Sequence, residues 1–174
     1  GVTLGITALL PTATAQAQTT PLPGDGQRFP YTAIVNQANL QARAMASRDS
    51  YPVVELPLGE IVTVQRMYYG WFRIEAPPGV YGLIDQKDVK CPNPSSPTSG
   101  VVQRDRTLTI TAHLSGDAAR STQTQGVLNK GQQVDIIEPV GSYYKILPPT
   151  KTTVFLPPNT LRPATTAELA AIAR

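Results

Sequence analysis

The feature that most constrains this chain is an internal repeat. Residues 56–75 read as a β-hairpin, with Ile61, Val62 and Val64 before the turn residues Tyr69-Gly70 and Trp71, Phe72 and Ile74 after them. The same order returns over residues 128–146: a Gly-led polar step, an apolar run Val134, Ile136 and Ile137, a Gly-containing turn at Gly141, then Tyr143-Tyr144-Lys145-Ile146. Gly59 to Trp71 is 71 − 59 = 12 positions and Gly131 to Tyr143 is 143 − 131 = 12. Downstream, Trp71 to Ile84 and Tyr143 to Leu156 are both 13, and Ile84 to Val89 and Leu156 to Leu161 are both 5. Upstream, Leu40 to Gly59 is 19 and Leu108 to Gly131 is 23, which places an insertion of four in the polar loop at residues 115–125. Agreement of several spacings means two copies of one supersecondary unit.

A repeat of this length in a chain of 174 residues predicts two small domains rather than one ordinary one. Seventeen prolines and thirteen glycines, with β-branched runs between them, predict an all-β chain with many turns. The expected order is a leader and linker over residues 1–28, a small β-barrel over 29–91, a Pro/Ser linker over 92–99, a second barrel over 100–163, and a helix start over 164–174. Within the first unit, strands are expected at residues 29–35, 39–43, 52–56, 61–75 as the hairpin, and 81–84 as a closing strand, with a tight turn and apolar plug at 85–89. Pro52 opens its strand, where a missing N–H removes no ladder bond.

Residues 1–10 are uncharged and apolar and run into Ala13-Thr14-Ala15-Gln16-Ala17, the pattern with which a secretory signal peptide ends; cleavage after Ala15 or Ala17 fits. The stretch is too short to span a bilayer, so no integral membrane span is expected. At the other end, Thr165 with Glu168 three positions on has the spacing of a capping box ahead of an Ala/Leu-rich helix. A helix this short needs docking, or continuation into a longer segment, to be stable.

The residues of the first copy resemble the bacterial SH3-like family, SH3b. Asn39-Leu40-x-x-Arg43 is similar to its opening motif, Val53-Val54 and Leu58-Gly59-Glu60 to its middle, Gly70-Trp71-Phe72-Arg73-Ile74 to its G-W-x-x-V strand, and Tyr81-Gly82-Leu83-Ile84 to its closing strand. The second copy departs further: the Arg of the opening motif is missing and Phe155 stands at the closing Gly. The resemblance implies two tandem SH3-like barrels and binding of peptidoglycan-type peptide or another extended envelope ligand; the leader pattern implies a place outside the cytoplasmic membrane, in the periplasm or secreted, and the side-chain inventory implies no catalytic activity.

The chemistry available in the residues agrees with a binding protein. His113 is the only histidine and has no Cys or Glu-x-x partner. Cys91 is the only cysteine, which excludes an internal disulfide, and between Lys90 and Pro92 it lacks the setting of a cell-wall peptidase nucleophile. No phosphate-cradling Gly-rich loop is present, and no cofactor or metal is expected. Six bases and six acids over residues 29–92, and seven and four over 100–163, fall short of a nucleic-acid footprint. Pro94-x-x-Pro97 reads as a stiff spacer. What remains is aromatic surface flanked by bases. Tyr51, Tyr68, Tyr69, Trp71, Tyr81, Tyr143 and Tyr144 are the candidate stacking groups, and Arg43 and Arg73 the candidate partners of a ligand carboxylate. The expected partner is a cell-wall peptide or envelope protein. A second reading makes the chain a spacer or assembly subunit of an extracellular complex, self-associating through its C-terminal region.

Overall fold

The computed structural model describes residues 28–104, 108–111 and 124–173. Residues 1–27, His113 and most of the polar loop at 115–125 lie outside the described residues, and the leader and histidine expectations with them. Among the described residues the chain is mostly β, with fourteen strands in two seven-stranded sheets and one short helix.

The first sheet contains β1 (Tyr31–Val35), β2 (Leu40–Arg43), β3 (Pro52–Leu56), β4 (Ile61–Tyr68) and β5 (Trp71–Glu75), joined by β13 (Thr153–Leu156) and β14 (Leu161–Pro163). The second contains β6 (Gly82–Asp85), β7 (Val89–Lys90), β8 (Ser99–Val102), β9 (Leu108–Thr111), β10 (Thr124–Leu128), β11 (Gln133–Val140) and β12 (Tyr143–Ile146). Their orders are β14-β1-β4-β5-β13-β2-β3 and, read from the other edge, β7-β8-β11-β12-β6-β9-β10. The two orders correspond strand for strand, down to a bulge at the same place: Val64 pairs Ile74 and Arg66 pairs Arg73, just as Ile136 pairs Ile146 and Glu138 pairs Lys145. The internal repeat is thus a repeat of pairing as well as of spacing.

The expected domain boundaries are corrected by these pairings. Residues 82–90 were expected to close the unit of residues 29–91; instead β6 pairs with β12 and β9, and β7 with β8. The matching slots of the first sheet are filled by β13, between β5 and β2, and by β14, against β1. The second sheet is therefore one continuous segment, residues 82–146, inserted between β5 and β13 of the first. The cause lies in the equal registers. Leu83-Ile84 and Phe155-Leu156 have the same pattern and stand at the same distance from their plugs Val89 and Leu161, so either segment satisfies either slot. Each hairpin is followed by a Pro-led β-turn, the Val80 N–H donating to the Pro77 carbonyl at 3.3 Å and the Thr152 N–H to the Pro149 carbonyl at 3.1 Å. The two crossovers meet where the Ala76 N–H donates to the Thr152 carbonyl at 3.0 Å.

Each sheet buries one face in its own core. The first core includes Val35, Val64 and Ile74 with Val154 and Leu156 from the far end of the chain, and the second includes Ile84, Val102, Leu128 and Ile146. Among the described residues none is shared between the two clusters, so each sheet is stabilised by its own burial. The 3₁₀ turn Gln86–Asp88 and the buried plug Val89 follow β6 as expected. Helix α1 (Thr166–Ile172) starts at the expected capping box, the Thr165 hydroxyl accepting from the Glu168 N–H and the Glu168 carboxylate from the Thr165 N–H. Glu168 also receives both ends of the Arg162 guanidinium, at 2.9 and 2.6 Å, which ties the helix to β14. Among the described residues no helix is long and apolar enough to cross a membrane.

Candidate functional site

The outward face of the first sheet carries the features expected of a binding surface, and the hairpin β4–β5 sets its geometry. Tyr69 and Gly70 both have positive φ, 48° and 79°, the backbone twist that lets a two-residue turn join strands of right-handed twist. Left-handed φ costs a residue with a Cβ about 1 kcal/mol, and Asn or Gly normally takes such a position. The equivalent residue of the other hairpin, also two positions before the first residue of the return strand, is Gly141 at φ 58°. Tyr69 is 86% exposed, so its ring contributes little burial to offset that strain. It packs edge-on against half-exposed Tyr68, ring centroids 4.6 Å apart, and Tyr68 in turn lies 6.2 Å from Phe155.

Behind this tip the cross-strand register aligns Arg66, Arg73, Phe155 and Arg43 in one row across β4, β5, β13 and β2. Arg66 and Arg73 directly oppose each other, an arrangement that is unfavourable for like charges. Arg73 donates from Nε to the Thr153 hydroxyl at 2.9 Å. Neither it nor Arg66 reaches a carboxylate among the described residues, and Glu75 accepts from Gln65. The equivalent pair in the second sheet is complementary: Lys145 Nζ meets Glu138 at 3.0 Å and lies 4.5 Å from the centre of the Tyr81 ring.

Arg66 and Arg73 line a concavity of about 540 Å³ together with Gln65, Glu75, Thr153 and Lys151. Lys151 stands at φ 73°, five positions after Ile146, where the other repeat has Gly79 at φ 92°, five positions after Ile74. Two further concavities, of about 320 and 200 Å³, follow along the crossover Leu147–Thr152, each sharing residues with the one before. The smaller of the two reaches Gln133 and Asp135 on the second sheet.

The expected site residues separate into three groups. Tyr68, Tyr69 and Arg73 come together on this face. Trp71 and Tyr144 do not serve as stacking groups: both are buried, at 9% and 8% exposure, and Tyr144 belongs to the second core. Strand alternation predicts that only one of Trp71 and Phe72 is covered, but both are. Arg43 is held by its own loop, Nη1 donating to the Ser50 carbonyl at 2.6 Å and Nη2 to Gln41 at 3.3 Å. That loop is more ordered than an exposed polar stretch implies, since buried Ser50 donates to the Met45 and Ser47 carbonyls. Tyr51 is half-buried, and Tyr81 and Tyr143 lie on the second sheet's side, away from the Arg row. Cys91 packs against the second core, and its contact with the Tyr144 hydroxyl, with burial, raises that phenol above its usual pKa. Sequence reasoning missed Arg66 and Lys151. Laying the two repeats over each other was the signal that could have found them.

Among the described residues, no group of three or more His, Cys, Asp or Glu side chains is placed to hold a metal ion. Compared with protein families, curated proteins and solved structures, the chain matches none.

Proposed function

We propose that this chain is a non-catalytic binding module of the bacterial cell envelope, built from two SH3-like units of which the second is inserted into the first. It takes an extended ligand such as a peptidoglycan-type peptide, on the periplasmic or outer side of the membrane. The observation that carries this reading is Tyr69. A large ring is kept at a left-handed turn position where the other repeat uses glycine, almost wholly in solvent, beside a second tyrosine and at the head of a row of bases. Strain that adds nothing to the core points to a role outside the core. A tyrosine pair offers ring faces to a ligand while its hydroxyls stay wet. The succession of three concavities favours an extended ligand over a compact one.

Retention on purified peptidoglycan tests the proposal. The wild-type chain is expected to be retained at low salt, and Tyr69→Gly to be lost from the pellet with an unchanged or slightly raised unfolding temperature, since glycine relieves the left-handed strain. Equal retention of Tyr69→Gly, or none for the wild type, contradicts it.

A second reading, a spacer or assembly subunit, draws on the helix. Leu169 and Ile172 are 43% and 46% exposed on α1, none of whose residues is buried. Concentration-dependent association that disappears on changing both residues to Gln supports that reading over the first.

A further inference from the structure

We infer that the concavity between β4, β5 and the crossover Leu147–Thr152 is an anion site, and that it takes the carboxylates of a short acidic peptide. This deepens the binding function proposed above, on which it rests, by naming the ligand chemistry.

Three observations lead there, the first two controlled by the other repeat. The first is charge. At one cross-strand position the second sheet pairs Glu138 with Lys145, whereas the first opposes Arg66 to Arg73. The fold therefore accommodates a neutralised pair at this point, and the first sheet does without one. The second is conformation. Lys151 takes a left-handed backbone position that the other repeat gives to Gly79, so a cation is held where a residue without a side chain is the unstrained choice. The third is coordination. Among the described residues, neither Arg66 nor Lys151 makes an ion pair or a side-chain hydrogen bond, and Glu75, the one acid lining the concavity, is engaged by Gln65.

Two guanidinium groups and an ammonium against the single carboxylate of Glu75 leave the depression with an excess of positive charge, which suits planar oxyanions that guanidinium binds through paired N–H donors. At about 540 Å³ the concavity has the size of an organic-ligand site, and the adjoining Tyr68–Tyr69 pair and Phe155 suit a peptide body. The site is also composite: Arg66 and Arg73 come from the first repeat, while Lys151 arrives with the returning chain after the inserted sheet. Ligand held by all three joins the ends of the insertion.

The test is an NMR titration of the whole chain with acetyl-Ala-Glu-Glu-Ala bearing a free C-terminal carboxylate. The uncharged acetyl-Ala-Gln-Gln-Ala-amide and inorganic phosphate at matched ionic strength are the controls. The acidic peptide is expected to shift the backbone amides of Arg66, Arg73 and Thr153 saturably, and to bind more weakly as salt is raised. Arg66→Glu, which copies the complementary pair of the second sheet, and Lys151→Gly, which copies Gly79, are each expected to weaken binding at least about tenfold without lowering the unfolding temperature. Equal binding of the uncharged peptide, full affinity in both variants, or phosphate saturating the same amides as tightly as the peptide overturns the inference. Peptidoglycan retention with no response to the acidic peptide removes this inference and leaves the envelope reading standing. Acidic-peptide binding without peptidoglycan retention does the reverse.

Discussion

Leu156→Ala should loosen the sheet built from residues 31–75 while sparing the sheet that contains most of Leu156's own repeat. Leu156 has 0% exposure, lies in β13 and belongs to the first core with Val64 and Ile74. Truncation to Ala removes three carbons, a transfer loss of about 2.4 kcal/mol at ~0.8 kcal/mol per methylene. The cavity left in a packed core brings the total to about 3 kcal/mol. Native-state hydrogen exchange reads this directly. At about 1.4 kcal/mol per factor of ten, the amides of Val64 and Ile74 should open about a hundredfold more often. Those of Ile136 and Ile146, in a cluster with no residue in common with the first, should be unaffected. Ile84→Ala, the equivalent position in β6, should produce the mirror result, with Ile136 and Ile146 exposed and Val64 and Ile74 protected. Leu156→Ala releasing the second sheet's amides first would refute the strand assignment on which the composite site is built.

Two further expectations follow from local geometry. A Cβ on Gly100 would lie 2.3 Å from Cγ1 of Val89, a stiff, buried side chain on the paired strand β7, so Gly100→Ala should destabilise the second sheet by about 1–3 kcal/mol, visible as a lower thermal midpoint. The Glu168 carboxyl is lowered to about 2 from its usual 4.5, first by the Arg162 guanidinium and then by the Thr165 N–H and hydroxyl. A depressed carboxylate stabilises its contact fully above the unfolded value, so the hold on α1 is expected to be complete above about pH 4.5 and lost as pH falls toward 2. NMR shifts of the Leu169 and Ala170 amides should follow that window and lose it in Glu168→Gln; a helix indifferent to pH over this range contradicts the clamp.

Local pattern carried much of the architecture. The hairpin turns at Tyr69-Gly70 and Gly141-Ser142, the plug Val89 and the Thr165–Glu168 capping box each depend on neighbours within a few residues, and all four stand where the spacing put them. Strand partners depend on distant chain, and there the same regularity that exposed the repeat concealed the insertion: Leu83-Ile84 and Phe155-Leu156 are interchangeable in pattern and register. The Pro-led turns after each hairpin, closed at Val80 and Thr152, leave the choice of the next strand's partner open. The site divides along the same line. Tyr68, Tyr69 and Arg73 share one hairpin and were legible, whereas Lys151 reaches them only through the returning chain. Arg66 was within reach, but opposing it to Arg73 requires the bulge at Gln65, which shifts the register by one residue. Trp71 misled because alternation specifies which face a residue takes and not what covers that face, whereas Tyr144 takes the core face with Ile146.

Cross-strand proton contacts in the monomer measure most directly whether β13 rather than β6 lies beside β5. The insertion predicts backbone NOEs linking Arg73 to Phe155 and Lys145 to Leu83, unchanged on dilution. Contacts linking Arg73 to Leu83 and Lys145 to Phe155 would show that each repeat closes its own sheet, and would remove Lys151 from the site together with the topology that brings it there.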